Sequence, residues 1–346
     1  MVLLSLALAA VVALAICLAA KPIAELLGVM DVPDGRRKLH ATPTPQVGGL
    51  AVSAPLLFVL GVLGGATDFV PLYVSLMAAV AIFLVVGLLD DRKHLRPMFR
   101  LAVSVIVILA ILYVVPSERV TFFRFTFLEI AIFPAPWVAL AFTVVCIVGL
   151  QNALNMADGK NGLAVGLLLT WSTLLLAYAP EHMIPALAAL IAALAVVFLF
   201  NVSGRLFLGD AGTYSLSVAV ALLAVHTYAV RFDILHADVI ALWFLIPVVD
   251  AVRLMATRTI SGGSPFMGDR RHFHHLLQTT FPSWTPAARL ALYLGMVAVP
   301  GALAIPYPQQ APLWIALELS TYGSVLLLAR FPAARAARLH PNNPQA

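Results

Sequence analysis

Residues 71–93 read PLYVSLMAAVAIFLVVGLLDDRK. The uncharged run 71–89 has the length a helix rising about 1.5 Å per residue needs to cross a hydrocarbon layer about 30 Å thick. It ends abruptly on Asp90-Asp91-Arg92-Lys93. Two acids at a helix C-terminus stand against the helix dipole, so placing a pair there needs a reason. Their side chains point about 100° apart, so one can face a bundle centre while the other meets water or a base. The chain therefore crosses a membrane, and it leaves the membrane on groups suited to chemistry.

The pattern repeats in both directions. Apolar runs predict eleven transmembrane helices, at about 2–20, 47–65, 71–89, 99–116, 134–150, 162–179, 184–200, 211–229, 238–255, 287–305 and 312–330. Of the 346 residues, 62% are hydrophobic and 11% charged, and the mean hydropathy is +0.99. The expected fold is an all-α polytopic membrane protein. No soluble module interrupts the spans, so residues 1–333 are read as a single membrane domain and 334–346 as a disordered tail. The first run is followed, not preceded, by its first charge, Lys21, and is expected to be a retained helix rather than a signal peptide. Residues 119–133 are rich in aromatic and β-branched types and predict a small extracytoplasmic hairpin. Cys17 and Cys146 are read as two buried thiols, and Trp137, Trp243 and Trp314 as interfacial anchors. Glu318, inside the last span, is read as an inter-helix hydrogen-bonding or interfacial group.

Orientation follows from the basic residues. Eighteen Lys and Arg fall in one set of loops, while Arg119, Arg124 and Arg231 fall in the other. The positive-inside rule then places the N-terminus outside and the C-terminus in the cytoplasm. The net charge of +5 is distributed by this topology and implies no nucleic-acid partner.

On the cytoplasmic side the same topology gathers the polar segments: Asp90-Asp91, the turn from Asn152 to Gly162, Gly209-Asp210-Ala211-Gly212, and the stretch from Ser264 to His275. Carboxylates and histidines beside hydrocarbon are costly, so their convergence predicts a metal-assisted site at a membrane surface. Asp210 precedes a span and can serve as an N-cap, and the glycines around it suggest close backbone approach to a bulky anion such as a diphosphate. His272, His274 and His275 cannot all point from one helix at a tetrahedral ion, and no thiolates are near, so zinc is disfavoured. Carboxylates suit Mg²⁺, with Mn²⁺ as the alternative, leaving the histidines and arginines for phosphate oxygens. Near the N-terminus the basic segment Arg36-Arg37-Lys38-Leu39-His40 precedes Gly48-Gly49 and can touch lipid headgroups.

Together these segments resemble the bacterial polyprenyl-phosphate N-acetylhexosamine-1-phosphate transferase family. The resemblance rests on Pro-x-x-Gly-Gly at 45–49, Asp-Asp at 90–91, Asn-x-x-Asn-Met-x-Asp-Gly at 152–159, Phe-x-Gly-Asp-x-Gly at 207–212 and Ser-Pro-Phe-x-x-Asp-Arg-x-His-x-His-His at 264–275. It implies an enzyme of the bacterial inner membrane that joins a sugar 1-phosphate from a UDP-N-acetylhexosamine to undecaprenyl phosphate, with UMP released. Asp90, Asp91 and Asp210 become the expected catalytic residues, and Asp210, Asp91 and Asp158 the expected metal ligands. Lys38, His40, Asn155, Asp158, Asn161, Arg271, His272, His274 and His275 become the expected substrate-binding residues. The His-x-His-His form is similar to the branch using simple UDP-N-acetylhexosamines, with UDP-N-acetylglucosamine the first choice of donor and a modified deoxyhexosamine the second. One departure stands out: the family's turn commonly carries Asp-Gly-x-Asp-Gly, where this chain has Asp158-Gly159-Lys160-Asn161-Gly162. The rival readings are a transporter or flippase and a relative that binds lipid phosphate without turnover. A homodimer is an allowed oligomeric form.

Overall fold

The computed structural model describes residues 1–33, 42–132, 135–264 and 271–330. The predicted tail, 334–346, lies outside them, as do Lys38 and His40. The helices in chain order are α1 (Val2–Leu18), α2 (Ala20–Leu27), α3 (Gly48–Ala66), α4 (Val70–Lys93), α5 (Pro97–Val114), α6 (Pro136–Ala157), α7 (Leu163–Leu176), α8 (Ile184–Val202), α9 (Gly209–Val230), α10 (Ala237–Ile260), α11 (Phe273–Thr280), α12 (Pro286–Leu303) and α13 (Ala311–Leu328). Two small antiparallel pairs accompany them: β1 (Met30–Asp31) with β2 (Thr44–Pro45), and β3 (Phe122–Phe125) with β4 (Leu128–Ile132). The chain is an all-α polytopic membrane protein.

Among the described residues nine helices are long and apolar enough to cross a membrane, or ten if α1 and α2, bent by 71° at Ala19, count as one span. The sixth expected span, 162–179, is the 14-residue α7. At about 21 Å it falls short of the hydrocarbon thickness. Beyond α7 the chain runs to a short 3₁₀ turn at Glu181–Met183, where His182 Nε2 lies 3.1 Å from Nε2 of His226 near the end of α9.

α9 is the axis of the molecule. Of its apolar window 83% is buried, against 22% for α5 and for α13, and it packs on α3, α4, α6 and α7. Its first turn meets α3 and α4 backbone to backbone. A Cβ at Gly49 would fall on the N and Cα of Gly212, and one at Gly87 on the N and Cα of Ala211. The loop before α9 completes the seam: Gly48 N donates to Phe207 O at 2.9 Å, Gly49 N to Leu208 O at 2.8 Å, and Phe207 N to Pro45 O at 2.8 Å. The first orphan N–H groups of α3 are thereby satisfied inside the protein. The sequence assigned the glycines flanking Asp210 to approach of an anion; the structure gives Gly212 to helix packing.

The β3–β4 hairpin stands where the sequence placed it, at the end opposite Asp210. The N–H of Arg124 donates to the Tyr228 hydroxyl at 2.7 Å, and Thr126 bonds to the Asp238 carboxylate. At the same end the buried Glu118 meets His226 Nδ1 at 3.0 Å. Two side-chain expectations change. Trp243 is no interfacial anchor but a fully buried core residue whose carbonyl accepts from Trp171 Nε1 at 2.7 Å. Cys17 is buried, but Cys146 is exposed on the surface of α6.

The seam generates a prediction. Gly49→Ala forces α3 and α9 apart and lowers stability by about 1–3 kcal/mol, the cost of overpacking a close contact. Gly65→Ala, in the same helix but with no atom within 4 Å of its added Cβ, leaves stability unchanged or slightly raised. Thermal unfolding of both variants in one detergent checks the difference.

Candidate active site

Both acids after residue 89 are helical, because α4 runs on to Lys93. Asp91 crosses to the start of α9: its Oδ1 accepts the N–H of Asp210 at 2.8 Å and its Oδ2 the N–H of Ala211 at 3.1 Å. Disfavoured at the end of its own helix, the carboxylate is favoured by the exposed N–H groups of another. Asp90 points elsewhere, into a closed network. Its Oδ2 accepts from Arg100 and from the Tyr214 hydroxyl, each at 2.7 Å, and its Oδ1 from Leu95 N at 2.7 Å. At 2% exposure Asp90 has no face left for a substrate.

Asp210 is then held from a third side. α6 extends to Ala157, seven residues past its expected end, so Asn155 lies on a helix rather than in a turn. Its Nδ2 donates to Asp210 Oδ1 at 2.5 Å and to Thr213 Oγ1 at 3.2 Å. Asp158 caps α6 and is pushed up to about 7, first by burial and then by the negative charge of Asp210.

The turn that follows joins this acidic half to a histidine half. A Cβ at Gly159 would lie 2.7 Å from His274 Nε2, so glycine is what lets the imidazole rest on the turn. Lys160 Nζ donates to Gln278 Oε1 on α11 at 3.1 Å. Gly162 N donates to Asn201 Oδ1 at 2.7 Å, and Asn201 Nδ2 donates on to Leu206 O at 2.9 Å, tying the turn to the loop before α9. Asn161 is exposed, with its amide against Gly204.

Asp250 on α10 organises the histidines. Its Oδ1 accepts from Arg253 at 2.7 Å and from the Tyr322 hydroxyl at 2.9 Å; its Oδ2 accepts Phe273 N at 3.1 Å and lies 3.5 Å from His272 Nδ1. Arg253 also donates to the carbonyl of Arg271 at 2.6 Å. Arg258, a pure donor, stands 3.5 Å from His272 Nε2, which leaves Nδ1 as the protonated nitrogen facing Asp250. The His272 and His274 rings stack 5.5 Å apart, and His274 and His275 are 4.3 Å apart. His274 is buried with Nε2 unpartnered, and burial, followed by the nearness of the His275 and His272 imidazoles, holds it well below the usual imidazole range. It is a neutral base aimed at the turn.

Asp90, Asp91, Asn155, Asp158 and Asp210 therefore converge with His272, His274 and His275 at one end of the bundle, and Arg271 sits exposed beside them. Asn161 stands apart. Arg100, Tyr214, Asn201, Asp250, Arg253 and Tyr322 enter the site unforeseen. Asp250 was readable in principle, as a charge interrupting the run 238–255, and Arg100 was visible only as a topological charge.

The site's fit to a divalent cation is one of charge. Among the described residues no three of His, Cys, Asp and Glu form a metal cage. Mg²⁺ does not demand one: it keeps waters and takes one or two carboxylates together with substrate phosphates. Asp158 and Asp210, whose charges oppose each other, meet that requirement.

The raised Asp158 sets a sign. The folded protein keeps a proton that the unfolded chain releases near the ordinary carboxyl value, so its stabilising share is lost as pH rises through about 7. In chelator, wild-type protein loses thermal stability across that window relative to Asp158→Asn, and Mg²⁺ reduces the loss. At the other half, Asp250→Asn lowers stability by about 1–3 kcal/mol, the cost of leaving buried donors without their acceptor.

Comparison with known proteins agrees with this geometry. Residues 73–228, which span α4 through most of α9, match the family model for glycosyl transferase family 4. The chain is 29% identical over 322 residues to undecaprenyl-phosphate alpha-N-acetylglucosaminyl 1-phosphate transferase of Escherichia coli K12, covering 87% of this chain and 83% of that one. It is 30% identical over 316 residues to the protein of the same name from Yersinia pestis, with the same coverage. It is 28% identical over 306 residues to the probable undecaprenyl-phosphate N-acetylglucosaminyl 1-phosphate transferase of Bacillus subtilis 168, covering 86% and 82%. With this site at one end of its helical bundle, the chain belongs to glycosyl transferase family 4 and is a membrane-embedded transferase.

Proposed function

We propose that this transferase moves N-acetylglucosamine 1-phosphate from UDP-N-acetylglucosamine to undecaprenyl phosphate, at the cytoplasmic face of the bacterial inner membrane. The observation that carries the reading is the turn Asp158-Gly159-Lys160, which sets a carboxylate pair suited to a cation against histidines and cations suited to phosphates. The names of the relatives supply the acceptor and the sugar. The positive-inside bias supplies the face.

An oxygen of the lipid phosphate attacks the β-phosphorus of the nucleotide sugar, the bond to the α-phosphate breaks, and UMP leaves. The attacking phosphate is largely ionised near neutral pH, so no strong base is needed. That suits a site in which Asp90 is committed to Arg100 and Tyr214. Mg²⁺ held by Asp210 and Asp158 would neutralise charge on the approaching phosphates. Asp91 fixes the start of α9 and with it Asp210, and its carboxylate would add negative charge beside the cation. Asn155 orients the Asp210 carboxylate. Lys160, Arg271, His274 and His275 line the approach of the nucleotide's phosphates, and His272 is positioned by Asp250 and Arg258. The product is a lipid-linked sugar that starts a cell-envelope glycan.

Purified protein incubated with Mg²⁺, undecaprenyl phosphate and UDP-N-acetylglucosamine should release UMP. Release only from a modified deoxyhexosamine donor would correct the sugar, and no release from any donor by folded protein would overturn the reading. Asp210→Asn should lower turnover at least about a hundredfold, the scale of losing a group that stabilises transition-state charge. Near-normal turnover in that variant would remove Asp210 from the metal site.

A further inference from the structure

We propose that His182 and His226 form a binding site for a zinc-class transition-metal cation, at the end of the bundle opposite Asp210. Their Nε2 atoms stand 3.1 Å apart. His226 lies near the end of α9, and His182 lies in the 3₁₀ turn Glu181–Met183 that leads into α8. Behind His226 stands Glu118, the last residue of a second 3₁₀ turn, Pro116–Glu118, which follows α5. The proposed transfer reaction uses none of the three.

Each imidazole is oriented by partners of its own. Glu118 Oε1 lies 3.0 Å from His226 Nδ1. A carboxylate only accepts, so Nδ1 carries the proton and Nε2 presents a lone pair toward His182. A carboxylate behind the far nitrogen is the arrangement that orients metal-ligating histidines and raises their basicity. His182 is held by its ring face and its backbone. The ring stacks on Phe69 at 3.7 Å and 8°, and the carbonyl accepts from the Tyr73 hydroxyl at 2.6 Å. Groups fixed in this way from outside are preorganised as ligands.

Charge calls for a cation here. Glu118 is 1% exposed, its Oε2 has no hydrogen-bond partner, and among the described residues no Lys or Arg pairs with it. An ionised carboxylate so placed needs a compensating positive charge. A metal ion on His226 Nε2 supplies it through the ring.

The separation of the two nitrogens fits such an ion. Metal–nitrogen bonds to histidine are about 2.0–2.1 Å long, which puts two nitrogens on one ion about 2.9 Å apart at right angles and about 3.3 Å apart in a tetrahedron. The observed 3.1 Å lies between these values, so a small turn of either ring admits the ion. His182 then carries its proton on Nδ1, and both Nε2 lone pairs face the gap. Without the ion, His182 Nε2–H donates to His226 Nε2. Among the described residues no third His, Cys, Asp or Glu completes a cage, so water fills the remaining positions. His182 is half-buried and Glu181 beside it is exposed, which opens the pair to solvent. Imidazole nitrogen favours zinc, copper or nickel, whereas Mg²⁺ takes oxygen, so this site and the acidic centre select different ions. A bound ion ties the entry of α8 to the end of α9 and, through Glu118, to the turn after α5.

The test uses full-length protein without a polyhistidine tag, stripped with chelator and desalted in detergent near neutral pH. Saturating Zn²⁺ should raise the thermal unfolding midpoint by at least about 2 °C. His182→Asn, at a half-buried position, should abolish that rise and leave the response to Mg²⁺ in place. Glu118→Gln keeps both ligands but should weaken Zn²⁺ binding at least about tenfold. Cu²⁺ added as a paramagnetic probe should show nitrogen hyperfine splitting in wild-type protein, reduced in His182→Asn. His275→Ala, at the other end of the bundle, should leave the Zn²⁺ response intact. Absence of both the Zn²⁺ rise and the nitrogen splitting would overturn the proposal and leave the pair as a hydrogen bond alone. A Zn²⁺ response that survives His182→Asn, or one lost in His275→Ala, would overturn it as well.

Discussion

The carboxylate of Asp91 on the first N–H groups of α9 is the contact on which the site depends. It joins two long helices at the ends where each has an unmet need: α4 has a misplaced negative charge, and α9 has orphan donors. It works only because Gly49, Gly87, Ala211 and Gly212 allow the backbones to meet without side chains between them. Asp210 inherits its position from this arrangement and needs only Asn155 to set its rotation. A carboxylate assembled this way is rigid, as the proposed cation site requires.

The two halves of the site are held by different means. The acidic half is fixed by backbone contact among α3, α4 and α9. The histidine half is fixed by donors converging on Asp250: the side chains of Arg253 on α10 and Tyr322 on α13, and the backbone N–H of Phe273 on α11. Among the described residues, the turn after α6 belongs to both. Its residues divide accordingly: Asp158 feels the charge of Asp210, while Gly159 makes room for His274.

Much of this was legible in the sequence because membranes impose simple rules. Hydrocarbon thickness fixed the span lengths, and the expected limits differ from the helices mainly where a helix runs on into the site, as α4 does to Lys93 and α6 to Ala157. Hydropathy ends where charge begins, but a helix need not. The aromatic run before α6 announced its hairpin through residue type alone. The small residues misled, since a glycine beside an aspartate looks the same whether it clears space for a ligand or for a helix. Asp250 passed unnoticed because a single acid late in a span carries no mark of its partners, which come from residues 253, 272, 273 and 322. Trp243 failed for a related reason. Its place near a span end suggested an interface, while the packing of Trp171 and Tyr178 encloses it.

The glycine seam also bears on how such an enzyme can change over generations. A larger residue at 49 or 87 displaces backbone rather than side chains, so no single neighbouring substitution restores the fit. Compensation would have to arrive on two helices at once, which makes these positions nearly immovable. The side-chain scaffold around Asp250 has no such lock, and it can drift one residue at a time. Diversification within a fold of this kind should therefore proceed through α10, α11 and α13, around an acidic centre that stays where it is.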